Sequence, residues 1–240
     1  MKFAIALVAV IASTTAFGQH LPDNKSWGFK GSFNYYFPSF KSTNEASEIS
    51  NNTNTGFGGG FYFRYDFNDL VSFQPEAIFA TRTGSVTSVT VSNPDPSIMI
   101  TETSISNLAQ TTFEIPMNLK LRWEFIPRHR GAFRTNAMLG IVTGPRLVMN
   151  MSSSRTTSSS EVTSLYGQQS TEVRDLSSTA ASDYYAPVTF GWDVGVDFEC
   201  LGRLVLHAKY YRGFTSMNKP DFGFKSFDNR VEVGIGIRCW

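Results

Sequence analysis

The charged and nucleophilic side chains of this sequence offer few arrangements that could do chemistry. His207 lies on an alternating segment, and Asp193 and Asp197 lie on the segment before it, so these three residues come closest to an acid–base set. A hydrolase would need Ser, His and Asp together at the outer rim of the fold, whereas His207 maps nearer the opposite end. GxSxG, phosphate-loop and EF-hand signatures are absent from the sequence. We expect a hydrogen-bonded histidine, no enzyme activity and no cofactor.

Two cysteines, Cys200 and Cys239, are the other reactive groups. Both map to the same rim of the predicted fold, close to neighbouring strands. In an exported protein they could form a disulfide, and the alternative is two separate free thiols. Neither a CxxC pair nor a Cys/His metal spacing occurs, so we predict no metal site.

Most of the charged residues lie on segments of strict alternation. In "TTFEIPMNLKLRWEF", residues 111–125, apolar positions alternate with polar or charged ones such as Glu114, Lys120 and Arg122. This pattern predicts a β-strand with two unlike faces, because successive side chains point to opposite sides. A soluble barrel would turn the apolar row inward, whereas a membrane barrel would turn it outward into lipid.

Eight segments show this alternation, each about ten residues long, which is the length of a tilted membrane strand. They cover residues 27–37, 57–67, 70–80, 111–125, 132–144, 186–198, 203–211 and 230–240. Pro75 is awkward in the third segment if that strand is central. The pattern predicts an all-β fold with eight antiparallel strands.

The connections between these segments alternate between long and short. Long polar links cover residues 38–55, 82–110, 145–184 and 213–229, and short links follow the second, fourth and sixth segments. This asymmetry is typical of an up-and-down transmembrane barrel with short periplasmic turns and long extracellular loops. Within the long links, the third and fourth strands are expected to extend past the membrane, and the Ser/Thr run at residues 152–160 is expected to be mobile.

The size of the apolar side chains decides which face meets lipid. An eight-stranded barrel has an interior only wide enough for side chains to fill, and the apolar row is too rich in Phe and Trp to fit there. Lys120 or Arg122 facing mid-membrane lipid would cost ~2 to 4 kcal/mol each. Glycines on the polar face would make room for Arg and Glu. We expect a plugged lumen with a polar network of Arg64, Asp66, Glu76, Glu114, Lys120, Arg122, Arg134, Asp193, Asp197, His207, Lys209 and Glu232.

The first residues predict export. Residues 1–18, "MKFAIALVAVIASTTAFG", carry one Lys, an apolar run and small residues at the end, which is typical of a cleaved secretory signal. Residues 19–240 would then form one barrel domain. No later stretch is long and apolar enough for a transmembrane helix. Because only a closed barrel otherwise satisfies its backbone in lipid, we expect the outer membrane of a Gram-negative bacterium.

Two strand motifs carry a family resemblance. "LVSFQPEAIFATRTG" is similar to the "QPE" strand of PorT-like small outer-membrane barrels, and "FEIPMNLKLRW" resembles the "EIP" strand of that family. Trp240 resembles the terminal aromatic by which the barrel-assembly machinery recognises its clients, although it is one step out of phase with Ile237 and Cys239. The resemblance implies an eight-stranded outer-membrane barrel and no conserved reaction.

The expected function is therefore non-enzymatic. The chain would act as a membrane scaffold for adhesion, for contact with an envelope protein partner or for a secretion assembly, in contact with outer-membrane lipid and lipopolysaccharide. The formal charge of +1 and the lack of a Lys/Arg run argue against a nucleic acid partner. A narrow porin-like channel and a soluble lipocalin-like carrier are the alternatives.

Overall fold

A computed structural model describes ten stretches of the chain. Within them, no helix is long and apolar enough to cross a membrane. The predicted signal at residues 1–18, Arg134 and Trp240 lie outside the described residues. The stretches are residues 24–42, 47–51, 54–95, 98–126, 137–165, 168–174, 179–180, 185–200, 203–219 and 224–239.

The secondary structure of these stretches consists of strands. In chain order they are β1 (Lys25–Tyr36), β2 (Ser39–Ser42), β3 (Ser47–Asn51), β4 (Asn54–Asp66), β5 (Val71–Asp95), β6 (Ile98–Ile126), β7 (Ala137–Leu165), β8 (Gln168–Arg174), β9 (Thr179–Ala180), β10 (Val188–Cys200), β11 (Leu204–Ser216) and β12 (Phe224–Cys239).

Eight of these strands close into a ring. The order is β1, β4, β5, β6, β7, β10, β11 and β12, and β12 pairs back with β1. Every pair in the ring is antiparallel. The predicted eight-stranded up-and-down barrel is therefore confirmed. Trp27 pairs with Cys239 at one end, and the short turn at residues 67–70 lies at that same, periplasmic end.

The two faces of the strands differ in the way that lipid requires. On the outside, Phe57 is 67% exposed and Phe79 is 58% exposed, whereas Glu114 and Lys120 on the inside are each 1% exposed. The apolar row therefore faces lipid and the charged rows face the lumen, because a charge in hydrocarbon costs more than a paired charge in the interior. A lipocalin-like carrier would have the opposite arrangement, so that alternative is wrong.

Lumen-facing glycines make room for large neighbours. A Cβ on Gly28 would lie 2.7 Å from the Tyr62 ring, and one on Gly234 would lie 2.6 Å from the His207 ring. A Cβ on Gly195 would similarly meet the Lys209 stem. The sequence predicted room for Arg and Glu, but rings and a lysine stem occupy these positions. The rings of Tyr62 and His207 lie over the backbone of the neighbouring strand at Gly28 and Gly234.

Three prolines interrupt the ladders of three adjacent strands. The β4–β5, β5–β6 and β6–β7 ladders each skip two rungs beside Pro75, Pro116 or Pro145, with no change of register. Proline has no N–H to donate, so the loss of rungs follows directly from its chemistry. Pro75 lies within a central strand all the same. The paired residues on either side of the unpaired positions keep β5 aligned with β4 and β6.

Beyond the membrane part, three of the strands continue outward as a sheet. β5, β6 and β7 are 25, 29 and 29 residues long, so their outer parts extend the barrel by up to about 40 Å at ~3.3 Å per residue. β3 pairs with β5, and β8 and β9 pair with β7. We call this set the outer sheet: residues 84–95, 98–111 and 152–165 together with β3, β8 and β9.

The Ser/Thr run at residues 152–160 lies in the outer sheet, so the prediction of a mobile run is wrong. Each of these residues has a partner on β6, from Ser152 with Thr111 to Ser160 with Thr103. The low complexity of the run misled the prediction, because hydroxyl side chains are compatible with a strand when a neighbouring strand supplies backbone partners. The fifth predicted segment is described from Ala137 onward, and its residues 132–136 lie outside the described residues.

Glycine substitutions test this packing. Gly191→Ala should destabilise the barrel by about 1 to 3 kcal/mol, because the new Cβ would overpack against the Arg212 carbonyl and the Tyr211 ring. Gly59→Ala on the lipid-facing side is the control, since its Cβ would meet nothing closer than 3.8 Å, the Lys30 carbonyl. Urea unfolding in detergent, followed by the gel shift of the folded band, measures both. Equal stability of the two variants would contradict the packing argument.

Candidate functional site

The charged side chains of the lumen form the most distinctive polar site of the described fold. Strand alternation places them: Met117 and Leu119 point outward at 46% and 50% exposure, while Asn118 and Lys120, which alternate with them, point inward and are buried. Closure of the ring then brings side chains from opposite strands together. They meet around carboxylates at three levels between the periplasmic and the outer end.

Glu199 on β10 is the periplasmic centre. Its Oε1 accepts hydrogen bonds from Arg64 Nη1 at 2.6 Å and Lys120 Nζ at 2.5 Å, and its Oε2 accepts one from Arg238 Nη1 at 3.0 Å. Arg64 lies on β4, which is opposite β10 in the ring. The Arg64–Glu199 pair therefore crosses the lumen.

Glu76 and Glu232 form the middle level. Lys209 Nζ donates to Glu76 Oε1 at 2.9 Å, from β11 across the lumen to β5. Lys30 pairs with both carboxylates, Glu76 and Glu232. His207 Nε2 lies 3.2 Å from Glu232 Oε1. This level joins β1, β5, β11 and β12.

Glu114 on β6 is the outer centre. Arg146 Nη1 donates to Glu114 Oε2 at 2.8 Å, and Arg230 Nη1 donates to Oε1 at 2.8 Å. Arg230 comes from β12, opposite β6. Arg146 also donates to Glu232 at 3.0 Å and to Asp193 at 2.8 Å, so it links the outer level to the middle one. The planar fork of Arg permits these several bonds at once, which Lys could not match in the same geometry.

The residues expected in the lumen do not all meet in the way the sequence suggested. Arg122 pairs with Asp66 at 3.2 Å near the periplasmic end. His207 contacts Glu232, while Asp193 pairs with Arg146 and Asp197 lies 3.1 Å from Lys120. The acid–base set considered from the sequence is therefore divided among different ion pairs. Among the described residues, no group of three or more His, Cys, Asp or Glu is arranged to hold a metal ion.

Sequence reasoning left several lumen residues out of the network. Glu199 continues the polar phase of Asp193 and Asp197, but it was assigned to a short turn. Arg146 continues the phase of Gly140 and Gly144, but Pro145 indicated the end of the strand. Extending each alternating row by one position would have found both. The other omitted residues with ion pairs here are Lys30, Arg82, Asp228, Arg230 and Arg238.

The two cysteines do not form a disulfide. Neither Cys200 nor Cys239 has a disulfide partner among the described residues. Cys200 pairs with Leu204 on β11, and Leu204 pairs with Ile237 on β12, so a whole strand lies between the two thiols. Two strand spacings amount to about 9 to 10 Å, and a disulfide needs Cα atoms within roughly 7 Å. The sequence placed both on one rim correctly, but it put Cys200 in the turn beside the seventh segment, whereas Cys200 is the last residue of β10.

Together, the lipid-facing apolar surface and the ionic lumen define an integral outer-membrane β-barrel. Residues 17–219 match the family model described as outer membrane protein beta-barrel domain. The chain belongs to this family and is a protein of the outer membrane. No curated protein matches it in sequence.

Several solved structures show a more distant likeness. Ail, the attachment invasion locus protein of Yersinia pestis, is 13% identical with a TM-score of 0.33, covering 90% of this chain and 99% of its own. Neisserial surface protein A is 13% identical with a TM-score of 0.34 and the same two coverages. OprG from Pseudomonas aeruginosa is 10% identical with a TM-score of 0.38, covering 89% of this chain and 95% of its own.

Removing one carboxylate charge tests how much the outer centre around Glu114 contributes to the free energy of unfolding. Glu114→Gln should cost about 3 to 5 kcal/mol, because it leaves Arg146 and Arg230 buried without their shared counter-charge. Asp66→Asn is the matched control: its carboxylate is 21% exposed, so water compensates, and the loss should stay within about 1 kcal/mol. Urea unfolding in detergent measures the free energy of unfolding of both variants. A Glu114→Gln variant as stable as Asp66→Asn would contradict the role of the outer centre.

Proposed function

We propose that this barrel is a non-enzymatic scaffold with a plugged lumen, and that its outer sheet contacts a partner in the cell envelope. The observation that carries the first part is the set of three ion pairs between opposite strands. Arg64–Glu199, Glu76–Lys209 and Glu114–Arg230 span the lumen at successive levels. An eight-stranded interior has little space beside such pairs, so solutes have no open path.

The second part rests on the outward face of the outer sheet. This face continues the lipid-facing row beyond the membrane, and its described positions from Ser85 to Val91, Met99 to Thr111 and Ser154 to Ser164 carry no charged residue. Val91, Met99 and Ile105 are 39%, 47% and 44% exposed there. Lipid does not explain apolar side chains so far out. An uncharged, partly apolar surface is typical of the centre of a protein interface.

The PorT-like resemblance of the strands around Pro75 and Pro116 supports a role in a secretion assembly, as in some relatives of that family. In this proposal the partner is an envelope protein, while lipid and lipopolysaccharide surround the barrel. The barrel-assembly machinery would act on the chain during insertion. Adhesion is the alternative use of the same outer sheet.

A narrow channel is the second candidate. It is favoured by buried lumen atoms that have no hydrogen-bond partner in the described part of the chain: both amide atoms of Asn118, the Ser72 hydroxyl and one Asp197 oxygen. Such groups usually bind ordered water, so water between the ionic levels would be the start of a conducting path.

Planar bilayers separate the plugged barrel from the channel. We expect no discrete current steps from the wild-type protein, because each level is crossed by an ion pair. The triple variant Arg64→Ala, Lys209→Ala, Arg230→Ala, which shortens one member of each crossing pair, should conduct. Heat-modifiable gel mobility verifies folding. Steps from the wild-type protein that change with Glu114→Gln or Arg122→Gln would contradict the plug and support the channel.

A charge on the outer sheet tests the contact surface. Val91→Lys should abolish crosslinking to a neighbouring envelope protein, because a partner would have to desolvate the new ammonium group. Thr90→Lys is the matched control, since it adds the same charge one residue away on the opposite face of β5. Crosslinking in isolated outer membranes with identification of the neighbour measures both. Equal loss in both variants, or no stable neighbour of the wild-type protein under any condition, would contradict the scaffold role.

A further inference from the structure

Three basic residues lie on the outward face of the barrel near its outer end. They are Arg212 on β11, Lys225 on β12 and Lys41 on β2, and all three are exposed. Arg212 shares the phase of Tyr210, and Lys225 shares that of Val231, which face lipid and are 40% and 41% exposed. The outward face therefore carries a basic patch, and we call these three residues the rim patch.

Two members of the rim patch are held side by side. Lys225 pairs directly with Lys41 in the β12–β2 ladder, and directly opposite side chains point to the same face of a sheet with their Cβ atoms about 5 Å apart. Like charges in this position repel each other. The Lys41 ammonium also lies 5.7 Å from the centre of the Phe227 ring. Within the described part of the chain no carboxylate pairs with Lys41, Lys225 or Arg212, so an anion from outside would relieve the repulsion.

The height of the rim patch follows from the strand register. Arg212 pairs with Asn229, and Cys239 lies ten residues further along β12 at the periplasmic end. Ten residues span about 33 Å of strand, or roughly 25 Å of height at the usual tilt, which equals the height of the apolar band of an outer-membrane barrel. Arg212 therefore lies at the outer border of that band. Lys225, four residues beyond Asn229, lies roughly 10 Å above it.

Aromatic rings mark the same border. Phe37 N donates to Asn229 O at 2.9 Å, which places Phe37 at the level of Arg212. Its ring stacks on the Tyr210 ring with centres 6.0 Å apart and lies 6.1 Å from the Tyr35 ring. Aromatic girdles occur where the apolar band of a barrel meets the lipid headgroups. The rim patch is therefore at and above the level at which the headgroups of the outer leaflet begin.

The rim patch is confined to one wall of the barrel. The described outward positions of β5 as far as Val91, of β6, of β7 and of β10 carry no charged residue. β12 stands opposite β6 in the ring, so the patch lies on the opposite side of the barrel from the outer sheet. A diffuse attraction to an anionic surface needs no such concentration of charge, whereas a single anionic headgroup binds where several cations meet.

We propose that the rim patch binds the phosphorylated headgroup of an outer-leaflet glycolipid of the lipopolysaccharide class. A phosphate offers only acceptors, which suit the fork of Arg212 and the point charges of the two lysines. The backbones of Arg212 and Lys225 lie about 14 Å apart on the sheet, so a headgroup with two phosphates can reach both.

The acyl chains of the same lipid would lie along the apolar wall below the patch, against Tyr210 and Val231. The wall carries apolar residues first and cations beyond them, which is the order of acyl chains and phosphates in one lipid molecule. The proposal goes beyond the contact surface on the outer sheet and does not depend on it, because the two lie on opposite walls.

Native mass spectrometry of the purified full-length protein in a non-ionic detergent tests the site. The probes are lipid A with two phosphates and the same lipid A after enzymatic dephosphorylation, added at equal concentration. We expect the wild-type protein to bind the phosphorylated probe about tenfold more tightly, because only the phosphates differ between the probes. The double variant Arg212→Gln, Lys225→Gln should lose about tenfold in affinity for the phosphorylated probe and keep its affinity for the other.

The matched control removes one Arg and one Lys from the periplasmic end of the barrel. Arg203 lies in the turn before β11 and Lys25 begins β1, so Arg203→Gln with Lys25→Gln changes the net charge by the same amount and should leave the binding of both probes unchanged. Heat-modifiable gel mobility verifies folding. If the double variant gives no folded band, Lys41→Gln takes its place, because β2 lies outside the ring.

Four results would each overturn the proposal. The wild-type protein binds neither probe, or it binds both equally, in which case the acyl chains alone explain the binding. The Arg212 and Lys225 variant binds as the wild type does, or the control loses as much affinity, in which case only net charge matters. Inorganic phosphate at millimolar concentration displaces the phosphorylated probe, in which case the patch binds a free ion and not a lipid headgroup.

Discussion

Closure of eight strands into a narrow ring surrounded by lipid is the constraint on which the rest of this structure depends. Alternation gives each strand one apolar and one charged face, and lipid admits only the apolar one. The charged faces are then enclosed with little water, so each carboxylate must find its counter-charge inside. Glu114, Glu76 and Glu199 show the outcome, since each of them binds two or three cations from different strands.

Such centres do more for the shape of the barrel than for its net stability. Taking charges out of water costs several kcal/mol per ion, and pairing in the interior regains roughly that amount. What remains is specificity: Arg64 can meet Glu199 only if β4 and β10 stand opposite each other in the correct register. The lumen glycines also contribute to this specificity. A side chain at Gly28, Gly195 or Gly234 would collide with the side chain on the neighbouring strand, which is Tyr62, Lys209 or His207 respectively.

The membrane part and the outer sheet are continuous through β5, β6 and β7, yet their chemistry differs. Inside, charges are dense and mostly buried; on the outward face of β5, β6 and β7 beyond the membrane part, the described positions carry none. A barrel fold is compatible with many functions, so function has to be argued from such local surfaces. In this chain ion pairs between opposite strands cross the lumen, while the outer sheet exposes side chains such as Val91, Met99 and Ile105 beyond the membrane part.

The sequence by itself determined the strands, their two faces, the order of the strands in the barrel and the location in the outer membrane. The alternation of apolar and polar residues depends only on neighbours along the chain, and the thickness of the membrane sets the length of each strand. The sequence also assigned most of the lumen residues to the right face. Only the tertiary structure decided which charges meet, since ring closure and register join residues as distant as Arg64 and Glu199. The same dependence on strand neighbours separated Cys200 from Cys239 by one strand and ordered the Ser/Thr run against β6. None of these follows from local pattern, because each depends on what the adjacent strand supplies.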